Sequence, residues 1–491
     1  MLIYVILGLP LAAALVAGLV PWRHWVGWMT TFANGSVLVF GVALCVKTVD
    51  HRALLALDGG LRADALSSFM VVVIGTVSFL AASQTVRYLS SEIDRGSSSS
   101  RHASLYVVLV QIFVACMLIA VLSANLGVMW VAIEATTIAT TFLVGHRRTS
   151  GALEASWKYV IICSVGIALA LLGTVLVYFA ALHVGGPHSG PHGVSALDWT
   201  SLMAISHHLD TGIMRLAVAL LVLGYGTKVG LVPMHSWLPD AHSQAPAPVS
   251  ALMSGVLLTV AFYALLRFKA IADGALGIGY TRSLLIVVGL GSLFVATSLL
   301  LTQRDYKRML AYSSMEHMGL IALGAAAGSS LAIAAVLLHI LGHGIVKAVL
   351  FLAAGEIYLV EGTSTIDQVP ALLSRRPMIG GIFGFGLVAL LGLPPFSLFV
   401  SELNMIRAEV AVGLTWVAAI SLVLMSIIFV SMMMHGRSML LGDSTSSDGF
   451  GATARTFTVP LVLGLVVSAF FGIVAWPLAP LLHAAAHVIV R

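Results

Sequence analysis

Eight ionisable side chains sit inside stretches that otherwise hold almost nothing but apolar residues. Glu134 lies near the middle of LGVMWVAIEATTIATTFLVG, with Thr137 and Thr141 after it on one helical face. Lys228 lies in LVLGYGTKVGLVPMHSW. His339, His343 and Lys347 follow one another at i, i+4 and i+8. At 1.5 Å per residue that series covers ~12 Å of one helical stripe. Glu402 follows the Pro394-Pro395 pair in GLVALLGLPPFSLFVSE, and Glu316 and His317 stand side by side in AYSSMEHMGL. Carboxylates, amines and imidazoles exchange protons, and strung along helices they are the parts of a relay joined by Thr, Ser and water.

Each has a plainer reading. Lys228 with Glu134 could be a structural ion pair between helices, and a lone histidine such as His317 is often a packing residue. His339 and His343 could bind zinc, but no carboxylate or cysteine accompanies them on that face. The glycines of GGIFGFG fit close helix packing better than chemistry. What weighs against dismissing the whole set is cost. An ionisable group at mid-bilayer costs roughly 2.5–3.5 kcal/mol on insertion scales, and this chain carries several.

The bilayer itself is read from composition. The chain has 491 residues, 59% hydrophobic and 9% charged, with a mean hydropathy of +1.03. A soluble chain carries roughly 25% charged residues. Most of this one must therefore be solvated by lipid, and its net charge of +5 reflects Lys and Arg held at one membrane face rather than nucleic-acid binding. Cys45, Cys116 and Cys163 lie singly in apolar runs, so no iron–sulfur or nickel–iron centre is expected in this chain. No phosphate loop or dinucleotide fingerprint is present. The apolar start, with no basic leader or cleavage site, reads as a retained helix.

Apolar windows predict an all-α polytopic membrane protein with fourteen spans: about 2–21, 26–46, 65–86, 105–123, 126–145, 156–182, 213–234, 246–268, 283–302, 309–327, 331–360, 377–407, 413–435 and 456–476. The spans 331–360 and 377–407 are long enough to tilt, break or project. The largest loops are 87–104 and the Gly-, Pro- and His-rich 183–212. Loops after odd-numbered spans hold fourteen Lys and Arg against nine elsewhere outside the spans' centres, which puts those loops in the cytoplasm and both termini outside. Pro233 and Pro239 follow Lys228, while Pro394 and Pro395 precede Glu402. Paired, proline-interrupted segments that each bear an ionisable residue point to inverted repeats.

At these residues the chain resembles the antiporter-like membrane subunits of respiratory complex I and its relatives. The resemblance rests on LPDAHSQAPAPVSALMSG (238–255), VAIEATT, the Lys before GLVP, HILGHGIVKAVLFLAAGE (339–356) and GLPPFSLFVSE (392–402), and covers most of residues 105–410. VAIEATTIATTFLVG, YSSMEHMGL and GLPPFSLFVSE are most similar to the hydrogenase-4 component F branch, found in membrane-bound [NiFe]-hydrogenase and formate hydrogenlyase complexes. The resemblance implies fourteen helices and two inverted five-helix repeats with broken helices 7 and 12. It divides the chain into a three-helix region (1–104), a first repeat (105–268), a second (283–435) and a C-terminal helix (456–491). Glu134 becomes the fifth-helix carboxylate, Lys228 and Glu402 the residues of the broken helices, and His339, His343 and Lys347 the connection between them. Thr259 stands where many relatives carry Lys or His, so the central relay would need water there. Because the chain ends soon after the last span, no long lateral helix is expected.

The implied function is redox-coupled proton translocation in the plasma membrane, in a complex I-like or formate-hydrogenlyase-type assembly. The partners implied are other membrane-arm subunits and a peripheral redox module carrying a nickel–iron centre and iron–sulfur clusters. Two alternatives remain: a subunit of a multisubunit cation/proton antiporter without redox partners, and a structural arm whose path is vestigial.

Overall fold

A computed structural model describes residues 1–50, 53–184, 196–441, 455–475 and 477–490, with 455–457 as backbone only. The middle of the loop 183–212, residues 442–454 and Arg491 lie outside the described residues. The chain begins with α1 (Leu2–Leu19) and α2 (His24–Thr48), then a hairpin of β1 (Leu54–Ala56) and β2 (Leu61–Ala63), then α3 (Ala65–Asp94). The hairpin is antiparallel, pairing Leu54 with Ala63 and Ala56 with Leu61. Next come α4 (Ser100–Leu122), α5 (Leu126–Val144), α6 (Ser150–Leu182), α7 (Trp199–Ile205), α8 (Thr211–Val229), α9 (Trp237–Gln244), α10 (Ala247–Leu252) and α11 (Leu258–Leu276). A π-helical turn, Met253–Leu257, joins α10 to α11. The second half holds α12 (Ile278–Leu300), α13 (Tyr306–Ala327), α14 (Ser330–Glu361), α15 (Leu372–Arg375), α16 (Pro377–Leu390), α17 (Ser397–Ala411), α18 (Thr415–Leu441), α19 (Arg455–Ile473) and α20 (Ala479–Ile489).

Every segment predicted to span contains a helix, and among the described residues eleven helices are long and apolar enough to cross a membrane. Helix is forced here because lipid offers no partner for a free backbone N–H or C=O. The ends are closed by side chains. Asn125 accepts from the N–H groups of Gly127 and Val128 at 2.9 and 3.1 Å, starting α5. Asp210, Asp305 and Ser329 cap α8, α13 and α14 in the same way.

Both segments expected to be interrupted are broken, and the C-terminal part holds a helix that was not expected. The segment 213–234 is not one helix: α8 stops at Val229 because Gly230 turns left-handed (φ 84°), and the chain resumes as α9. The segment 377–407 breaks between Leu390 and Ser397, at left-handed Gly392 and the two prolines. The C-terminal part holds α19 and a further helix, α20, packed against α14 and α3.

The core is built around α14. It touches α3, α10, α13, α16, α17, α19 and α20, and its spanning stretch, like that of α10–α11, is wholly buried. Gly255 in the π turn and Gly344 of α14 meet backbone to backbone, each lying where a Cβ would come 2.9–3.0 Å from the other's carbonyl oxygen. The outer helices present apolar side chains outward, among them Val131, Ile138, Phe142 and Trp157. Lys228, His339, His343 and Lys347, by contrast, are fully buried, surrounded by protein and not lipid.

Candidate functional site

Lys228 lies in the last turn of α8, just before the break, and is completely buried. The exposed carbonyl end of a helix favours a cation there. Its Nζ donates to Thr137 Oγ1 at 2.8 Å and to the Tyr159 hydroxyl at 2.7 Å. Thr137 in turn donates to Glu134 Oε2 at 3.1 Å, and Ser164 donates to the other carboxylate oxygen at 3.2 Å. Tyr159 and Thr140 share a hydrogen bond of 2.6 Å. The direct Glu134–Lys228 contact expected from sequence is thus replaced by one hydroxyl standing between them. The Thr141 hydroxyl is spent on the Thr137 carbonyl at 2.7 Å, so the polar row of α5 runs through Thr137 and Thr140 instead. Thr140 and Thr141 flank Thr137 on opposite sides, and it is the Thr140 side that faces inward, since Thr140 is buried and Thr141 only partly so.

The second group surrounds α14. Lys347, fully buried, donates to the Leu310 carbonyl at 2.6 Å and to Ser313 Oγ at 2.5 Å, both on α13. One turn earlier is His343, whose two buried ring nitrogens make no hydrogen bond of ordinary geometry. His317 Nδ1 and His339 Nε2 are 3.0 Å apart, and His339 Nδ1 meets Ser401 Oγ at 3.0 Å. The ring centroids of His317 and His343 are 5.0 Å apart. His317 is therefore part of the constellation and not an isolated packing residue. Its neighbour Glu316 is buried as well, on another face of α13. Glu402 itself rests on the second break: a Cβ at Gly392 would collide with its carboxylate. The sequence spacing shows two histidines on one face, and α13 brings the third. The ligand nitrogens of His317, His339 and His343 lie within 4.8 Å of one another, so this trio is where an ion could be held.

Between the two groups lies a residue that the spacing did not single out. His242 of α9 is completely buried, has both ring nitrogens without a hydrogen bond, and stacks on Phe351 of α14 with centroids 4.9 Å apart. Phe351 follows Lys347 by one turn, its ring centroid 6.0 Å from the Lys347 Nζ. Thr259, by contrast, is buried but donates to its own helix, to the Val256 carbonyl at 2.9 Å. The position where the resemblance looks for Lys or His thus holds a self-satisfied hydroxyl, and a buried imidazole lies on α9. Direct hydrogen bonds run from Glu134 to Tyr159–Thr140 and from His317 to Ser401. Lys347 with Leu310 and Ser313 forms a third stretch, and His242 and His343 offer ring nitrogens that are in no direct hydrogen bond.

Residues 123–428 match a family of transmembrane subunits described as NADH:quinone oxidoreductase/Mrp antiporter. The chain is 39% identical over 348 residues to the hydrogenase-4 component F homolog of Methylacidiphilum infernorum, a match covering 71% of this chain and 72% of that one. Its fold is similar to a subunit of the membrane-bound sulfane sulfur reductase, an archaeal respiratory membrane complex, with a TM-score of 0.87 at 22% identity over 100% of this chain and 98% of that one. It is also similar to a subunit of the Mrp complex from Dietzia sp., with a TM-score of 0.85 at 22% identity over 100% and 98% of the two chains.

Proposed function

The chain belongs to the family of antiporter-like membrane subunits shared by NADH:quinone oxidoreductases and Mrp antiporters, and from that membership we propose that it translocates protons as the membrane subunit of a hydrogenase-type oxidoreductase. Its redox partners would hold the nickel–iron centre and iron–sulfur clusters, in a peripheral module docked on further membrane-arm subunits. We place the assembly in the plasma membrane with both termini outside. Residues 105–268 and 283–435 would form the two inverted repeats, 1–104 an N-terminal flank and 456–491 a C-terminal one.

The observation that carries the reading is the Thr137 hydroxyl, which accepts from Lys228 and donates to Glu134. A carboxylate and an ammonium coupled through one rotatable hydroxyl respond to each other's position, because proton affinity follows the distance to an opposite charge. A displacement of α5 driven by partner redox chemistry changes that contact, and Lys228 loads or releases a proton. His242, Lys347, His343, His317 and His339 with intervening water would carry it laterally, with Glu316 as the carboxylate beside Lys347. Glu402, seated on the second break, would be the exit switch.

Replacing Lys228→Met in the assembled complex tests this. Redox-driven proton uptake by membrane vesicles is expected to vanish while the complex assembles; uptake at the normal rate would remove Lys228 from the path. The likeness to the Mrp subunit fold supports one other reading, a cation/proton antiporter without redox partners. Sodium-dependent exchange that persists without electron donor would favour it.

A further inference from the structure

We propose that the groove between α4, α5 and α6 is a binding site for an anionic phospholipid. Two cavities adjoin at the end of the molecule where the loops after α3 and α5 meet. The upper, about 880 Å³, is lined by Ser97, Ser99, Arg101, His102 and Arg148 among others. The lower, about 680 Å³, is walled by Leu105, Leu109, Ile138, Phe142 and Trp157. Both share His102, Leu105, His146 and Arg148, so one continuous recess changes from basic to apolar along its depth.

The charges of the recess divide into used and unused. His146 is paired with Glu92 at 3.1 Å. Arg147 donates to the Tyr88 hydroxyl at 3.4 Å and lies 5.0 Å from the Tyr358 ring. Arg101 and Arg148 are exposed and form no ion pair among the described residues. Arg148 moreover holds a left-handed backbone (φ 53°, ψ 22°), a conformation costly for a side chain of its kind, and lines both cavities.

Below these arginines the wall turns to Phe142 and Trp157, 64% and 66% exposed, on the lipid-facing side. A ligand that fits carries negative charge at one end and hydrocarbon at the other. A free phosphate would use the upper cavity and leave the apolar wall bare. An anionic lipid satisfies both, and basic pockets between helices at the cytoplasmic face take such headgroups. The Lys and Arg distribution assigns this end to that face. Trp157, exposed two turns into α6 from this end, is the residue type that bridges headgroup and chain at an interface.

Native mass spectrometry of the protein released from nanodiscs containing phosphatidylglycerol and phosphatidylcholine tests the site. Phosphatidylglycerol is expected to remain bound in preference to phosphatidylcholine. Arg101→Ala and Arg148→Ala are each expected to lower its occupancy roughly fivefold, the corresponding Lys variants to keep most of it, and inorganic phosphate not to displace it. Both arginines are exposed, so an unchanged melting temperature is expected of every variant and confirms that occupancy is read on folded protein. Equal occupancy in the double alanine variant, no headgroup preference, or displacement by inorganic phosphate would overturn the proposal. So would a cross-link from position 142 to another membrane subunit in the intact complex, which would make the groove a protein interface.

Discussion

A threonine hydroxyl has a single proton, and at Thr137 it is committed to Glu134 while the oxygen receives Lys228. Removing that hydroxyl without changing shape should uncouple the two. Thr137→Val is therefore expected to cut redox-driven proton uptake by at least tenfold and to destabilise the protein by about 1–3 kcal/mol, the cost of an unsatisfied buried donor; Thr137→Ser should restore both. Vesicle uptake and thermal melting check the pair. Gly392 offers a second point: its φ of 61° and the Glu402 carboxylate against it leave no room for a Cβ. Gly392→Ala is expected to lower the melting temperature and displace Glu402, reducing uptake. A third contrast separates two buried residues of α9 and α11. His242→Gln is expected to reduce uptake strongly, whereas Thr259→Ala should leave it near normal, since that hydroxyl serves its own helix.

These residues were unequally legible in the sequence. Lys228, Lys347, Glu134 and Glu402 announce themselves because a charge in an apolar run is costly and needs a reason. Tyr159 and Thr140 do not, since aromatic and hydroxyl side chains belong in membrane helices anyway. His242 sits in LPDAHSQAPAP, polar and proline-flanked, where a histidine draws no notice. What sets it beside Phe351 of α14 is the packing of α9 on α6 and α13, a tertiary event.

At the scale of elements, hydropathy marks each long apolar segment, because a span of about 20 residues has few other uses. It fails where length or pattern is unusual. The helix α20 is short, with an apolar and a polar side, and the β1–β2 hairpin is too brief to register. The apolar window 213–234 runs past Pro233, whereas Gly230 closes α8 earlier. What braces the first break also lay beyond the sequence. Asp240 at the start of α9 receives Lys158 of α6 at 3.1 Å and Arg308 of α13 at 2.7 Å. Half-exposed pairs of this kind contribute about 1 kcal/mol or less each, so Asp240→Ala should lower the melting temperature by only a few degrees. Orientation is testable at the same scale. A cysteine introduced at Arg148 is expected to react with an impermeant maleimide from the cytoplasmic side only, and one at Gly328 from the opposite side only; the reverse pattern would invert the topology.

For the whole molecule, the division of labour follows from solvation. Outer helices face lipid with apolar side chains, while Lys228, Lys347 and the imidazoles of His242, His317, His339 and His343 are buried within the protein. Purification in mild detergent should bring companions bearing nickel and iron–sulfur clusters, and their absence beside sodium-exchanging partners would favour the antiporter alternative. The route itself depends on water at the two places where direct hydrogen bonding stops. A cryo-EM map of the intact complex, at a resolution that places water, reads this without recourse to mutants. Ordered waters are expected on the free nitrogens of His242 and His343, joining Lys228 to Lys347 and on toward the His317–His339 pair; closely packed apolar side chains filling those gaps, with no water density, would contradict proton conduction along this line.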